Sequence, residues 1–164
     1  MLDILTHVLK IMECDKDRCR LAMTCNRLMN SDFYFDNLID IEKITDSRLF
    51  DNFTNIYLIN NISKLPRMVT HLTFATKFCK SIKYMIPHTV KNITFNQPRP
   101  YNNHHYTLYD IYFACSNCNA TVSDYIPSSV TSITINGYYD DDKQNEISKI
   151  LGQDNPITFI YPNL

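Results

Sequence analysis

Residues 86–96 read IPHTVKNITFN, and close copies of that phrase stand at residues 65–75 (LPRMVTHLTFA) and 126–136 (IPSSVTSITIN). Aligned on Val69, Val90 and Val130, each copy has an aliphatic residue, two variable positions, a second aliphatic, one variable position, and then Phe or Ile. The matching sets are Val69/Leu72/Phe74, Val90/Ile93/Phe95 and Val130/Ile133/Ile135. Val90 follows Val69 by 21 positions and Val130 follows Val90 by 40. The double interval predicts a degenerate copy between them, and Leu108, Ile111 and Phe113 match the template. Phe53, Ile56 and Leu58 match it upstream. Residues 156–161 (PITFIY) offer a terminal copy, after a short helical stretch at EISKIL.

A recurring unit of ~20 residues, each giving one short strand, is the pattern of a solenoid, in which every unit buries its apolar face against the next. The aliphatic-x-x-aliphatic-x-aliphatic spacing is also the strand part of a leucine-rich repeat. Within a strand the alternation sends Ile93 and Phe95 inward and Asn92 and Thr94 outward. The prolines at 66, 87 and 127 stiffen the turn before the strand and keep their missing N–H off the parallel ladder.

Residues 2–29 follow a different period. Leu5, Val8, Leu9 and Met12 share one helix face, which Ile4 and Ile11 widen. ECDKD interrupts, with Asp15 or Asp17 as the expected N-cap of a second helix carrying Leu21, Ala22, Cys25, Leu28 and Met29 on one face. The predicted fold class is α+β. A short helical module with its linker covers residues 1–49. A leucine-rich-repeat-like solenoid covers residues 50–164, with one short parallel strand per repeat of ~20–22 residues. Strands are expected near 53–59, 69–74, 90–95, 108–113, 130–135 and 157–161.

Composition narrows function. At 45% hydrophobic and 20% charged the chain can bury a core, and its net charge of −1 gives no global reason to expect nucleic acid. No apolar run approaches the ~20 residues of a membrane span. An acid at position 3 and the lack of a basic leader suggest mature protein and not a signal peptide. The six cysteines then read as reduced thiols of a cytoplasmic or nuclear protein. With only two glycines, Asn and Asp must serve most turns.

No Gly-rich phosphate loop or nucleophile elbow occurs, so an enzyme is not expected. His104 and His105 with Cys115 and Cys118 supply four N/S donors of the kind tetrahedral zinc uses. Adjacent histidines seldom reach one metal together, and no second Cys pair exists. A turn with incidental cysteines is favoured, and no metal or cofactor is expected.

The phrase at 86–100, ending FNQP in its central part, resembles the FNIP repeat, a leucine-rich-repeat-like unit of about 22 residues. The N-terminal residues Asp3-Ile4-Leu5, Val8-Leu9, Asp15-Lys16-Asp17 and Leu21 to Leu28 resemble an F-box. Together they resemble F-box and FNIP repeat-containing proteins of the giant-virus or Dictyostelium type. The resemblance implies a substrate-recognition subunit of an SCF-type (Skp–cullin–F-box) ubiquitin ligase, in the host cytoplasm if viral. The helices would bind the Skp-family adaptor and its cullin complex through Leu2, Ile4, Leu5, Val8, Leu9 and Leu21. The repeats would bind a target protein.

Outward strand positions are the natural target-binding residues. One column would hold Asn55, His71, Asn92, Asp110 and Ser132. The next would hold Tyr57, Thr73, Thr94, Tyr112 and Thr134. The two tyrosines are favoured, as exposed aromatics often anchor interfaces. Neither nucleic acid nor membrane is expected as a partner. The alternative is a repeat scaffold outside the ubiquitin system, its N-terminal helices only capping the solenoid.

Overall fold

The computed structural model describes residues 2–24, 33–59, 64–76, 78, 80–96, 111, 121–137, 141–151 and 156–160. Helices α1 (Leu2–Ile11) and α2 (Asp15–Met23) open the chain. The N-cap of α2 is Cys14, and neither aspartate holds that position. The Cys14 carbonyl accepts from the N–H groups of Asp17 and Arg18 at 3.1 and 3.0 Å. The aspartates therefore fall inside the first turn, where their charge suits the helix dipole.

Strands β1 (Ile39–Asp40), β2 (Asn55–Leu58), β3 (His71–Phe74), β4 (Asn92–Asn96), β5 (Ser132–Asn136) and β6 (Ile157–Ile160) follow, with helix α3 (Asp141–Leu151) between the last two. They form one six-stranded sheet in sequence order, and every pairing is parallel. The inward positions run in two registered columns. Ile56, Leu72, Ile93 and Ile133 make one, and Leu58, Phe74, Phe95 and Ile135 make the other, with Ile157 and Phe159 of β6 at the corresponding register positions. Phe74 and Phe95 stack with ring centroids 5.1 Å apart and planes 11° off parallel. Val69, Val90 and Val130 are buried beneath the turns that lead into β3, β4 and β5.

Those turns are alike. The N–H of Val69, Val90 and Val130 donates to the carbonyl of Pro66, Pro87 and Pro127 at 3.3, 3.1 and 3.0 Å. Just before each strand a carbonyl ladder stacks the turns. Thr54 accepts from Thr70 and His71, Thr70 from Lys91 and Asn92, and Lys91 from Thr131 and Ser132. The ladder satisfies backbone groups that would otherwise lie unpaired beside the core.

The fold class differs from the one the spacing predicts. The described residues build a plain α/β arrangement, one all-parallel sheet with three short helices, and not a helical F-box-like module followed by a repeat solenoid. Leu9 of α1 and Ala22 of α2 belong to the same buried cluster as the sheet residues, so the helices share its core. Strand β1 lies within residues 1–49 and pairs with β2. The connections are also unequal: residues 41–54, 59–70, 75–91, 97–131 and 137–156 join successive strands.

The strand expected near 108–113 falls in the longest connection and, except for Ile111, lies outside the described residues. β4 and β5 pair directly, Asn92 with Ser132 and Thr94 with Thr134, so the sheet leaves no place for it between them. Ile111 is helical and fully buried. Leu108 and Ile111 stand three apart, a spacing that suits a helix face as well as the strand template. The segment also lacks the proline three residues ahead that opens β3, β4 and β5.

Candidate protein-binding surface

The parallel register brings the outward residues into line. Asn55, His71, Asn92 and Ser132 form one column across β2–β5, and Tyr57, Thr73, Thr94, Thr134 and Thr158 form the next across β2–β6. His71 and Thr158 are exposed and the other members half-buried. Asp110 and Tyr112 lie outside the described residues. Since β4 and β5 are neighbours, neither column has a place for them.

The first column is cross-linked. Asn92 Nδ2 donates to His71 Nε2 at 2.9 Å, while His71 Nδ1 lies 2.8 Å from the Thr70 hydroxyl. With Nε2 accepting, the ring proton sits on Nδ1 and points to Thr70 Oγ1. At the start of the column Asn55 Nδ2 donates to the Asp36 carbonyl at 3.1 Å. A third outward column begins at Asn96 and Asn136, where Asn136 Nδ2 donates to Asn96 Oδ1 at 2.6 Å. β6 places Ile160 in that register, and the Asn136 Oδ1 is buried with no hydrogen-bond partner. This column was legible as the Asn that closes two of the three repeated phrases. These bonds pre-order Asn55, His71, Asn92, Asn96 and Asn136, which limits the side-chain entropy they lose on binding.

The residues expected to meet an adaptor divide sharply. Leu9 is 0% exposed and belongs to the core, so it offers no surface. Leu21 packs half-buried against the same core. Ile4 is 66% exposed and Ile11, seven residues on, is 65% exposed, with half-buried Val8 between them. These three share one face of α1, an apolar stripe turned to solvent. The side chains of Leu2 and Leu5 lie outside the described residues, although both belong to α1.

A further cluster escaped sequence reading because its parts are forty residues apart. Tyr84 has a positive φ of 58°, unusual for an aromatic residue. Its N–H donates to the Asp124 carbonyl at 2.8 Å, and its hydroxyl to Asp124 Oδ1 at 3.3 Å. Lys83 Nζ lies 3.6 Å from Asp124 Oδ2 and 5.1 Å from the Tyr84 ring centroid. This latch ties the β3–β4 connection to the end of the long β4–β5 connection.

Burial opposes the Asp124 charge, but the Thr121 N–H, the Lys83 ammonium and the Thr121 and Tyr84 hydroxyls outweigh it and hold the carboxyl below its ordinary value. For Lys83, burial is outweighed by Tyr84, Asp124 and Tyr125, which raise it. A depressed carboxylate contributes stability above its unfolded-state pKa and loses it as pH falls through the folded one. Asp124→Asn is therefore expected to lower the urea midpoint at neutral pH, with the gap to wild type closing in acid. A gap that is constant with pH would remove the charge from the latch.

Cys115, Cys118, His104 and His105 lie outside the described residues. Among the described residues no group of three or more His, Cys, Asp or Glu could hold a metal ion, and no helix is long and apolar enough to cross a membrane. Comparison with protein-family models, curated proteins and solved structures finds no match.

Proposed function

We propose that this protein is a non-catalytic protein-interaction module that recruits a target to an SCF-type ubiquitin ligase. The observation that carries the reading is the solvent-facing Ile4–Val8–Ile11 stripe on a helix whose opposite side reaches the core through Leu9. A helix anchored on one side and apolar on the other suits a helix-and-groove contact, here with a Skp-family adaptor in the cytoplasm or nucleus. The outward columns of β2–β5 would hold the target, raising its concentration near the ubiquitin-charged enzyme. Tyr57, whose ring position on β2 begins the threonine column, is the favoured anchor.

Tagged protein recovered from cells should bring down the adaptor together with a target. Thr94→Arg, placing a long charged side chain in the middle of the face, should remove the target and leave the adaptor. Recovery of both by the variant would discard the face as the target site.

A second reading is favoured by Leu9 and Ala22 joining the sheet core. The helices would then only cover the sheet, and the protein would bind its partner outside the ubiquitin system. Target recovered without adaptor supports that reading over the first.

A further inference from the structure

The net charge conceals a division along the chain. Residues 41–100 hold nine Lys and Arg against three Asp and Glu, whereas residues 101–164 hold two against seven. The fold gathers part of this excess at one place. The turns opening β2, β3, β4 and β5 stack through the carbonyl ladder, so their second residues, Asp51, Arg67, His88 and Ser128, follow one another along the rim where the strands begin. The residues immediately before the strands, Thr54, Thr70, Lys91 and Thr131, follow in the same order.

Arg67, His88 and Lys91 therefore stand on neighbouring turns, and all three are exposed. Asp51 accepts from the Arg67 N–H at 3.0 Å and lies 3.6 Å from its Nε, but the Arg67 side chain remains 85% exposed. The stretches 87–92 and 127–132 contain no acid. The rim meets the outward sheet face at His71 and Asn92, the first residues of β3 and β4.

We infer that this corner, formed by Arg67, His88 and Lys91 beside His71 and Asn92, docks an Asp/Glu-rich segment of the target protein. The inference rests on the proposed reading of the sheet as a target-binding face and names the chemistry of what it takes. Charge complementarity selects the occupant: two fixed cations without an acid on the following turns attract carboxylates over a Debye length, and the adjoining polar face supplies hydrogen bonds. Of the five residues that form the corner none is Phe, Tyr or Trp and the two imidazoles are the only rings, a poor platform for successive bases, which favours an acidic protein segment over a single-stranded nucleic acid.

The test is an anisotropy titration of the full chain with a labelled oligoglutamate peptide at low salt, beside an oligolysine peptide and an oligothymidylate of similar length. Oligoglutamate should bind, and Arg67→Gln/Lys91→Gln should weaken it about five-fold, each exposed charge pair being worth a fraction of a kcal/mol. Lys16→Gln/Lys149→Gln should leave it unchanged. The inference is overturned if oligoglutamate does not bind, if the rim variant binds as wild type, or if oligothymidylate binds more tightly. It is also overturned if light scattering shows a salt-sensitive dimer that Asp141→Asn/Asp142→Asn dissolves, since the rim would then face a second copy. The peptide assay reads the rim alone. Its failure leaves the Thr94→Arg result standing, and the converse also holds.

Discussion

Phe95→Ala is expected to lower stability by about 3–5 kcal/mol, the usual cost of emptying a buried aromatic site. Phe95 is fully buried, stacks on Phe74 and is paired in register with Phe74 on one side and Ile135 on the other. Phe74 in turn meets Phe78 at 5.0 Å. The void would open in the middle of this column. Its walls are strands held at their starts by the Pro87 and Pro127 turns and by the carbonyl ladder, so they have little freedom to collapse inward. A domain of this size is typically stable by only ~5–15 kcal/mol, and the loss is a large part of that. Urea unfolding measures it. Thr94→Ala, one residue away on the half-buried face, serves as the control and should cost under about 1 kcal/mol. Similar losses for the two variants would mean that the aromatic column is not the core.

The second large effect concerns binding. Ile4→Asp/Ile11→Asp is expected to weaken adaptor binding by about a hundred-fold or more, since apolar anchors at an interface centre can each be worth ~2 kcal/mol. Both side chains are about two-thirds exposed, so the urea midpoint should barely change. Leu9→Asp would be uninformative, because it forces a charge into a fully buried position and unfolds the protein. The decisive measurement is calorimetric titration of purified adaptor into wild type and variant. An unchanged affinity would end the docking role of α1 and leave the helices as a cover for the sheet.

The contrast between Leu9 and Ile4 marks the limit of helical periodicity. Both fall on the broad apolar face of α1, and spacing treats them alike. Which half of that face is covered depends on where the sheet lies, and that is a long-range fact. The same limit explains Leu108/Ile111/Phe113. Their spacing satisfies the strand template, yet Ile111 is helical, and β4 closes directly on β5. The rim cations and the Lys83–Tyr84–Asp124 latch were hidden for a related reason. Their members are far apart in the chain and meet only through the stacking of turns.

By itself the sequence determined the local alternation of β3, β4 and β5. Pro-x-x-Val followed by inward Leu or Ile and then Phe or Ile specifies a turn, a strand start and a buried side in a dozen residues, through steric and burial effects that act locally. Only the tertiary structure decided which strands are neighbours, that the N-terminal helices share the sheet's core, and which apolar and charged side chains are left facing water. Those outcomes depend on competition between distant segments for the same buried surface, and a repeated phrase does not encode how that competition ends.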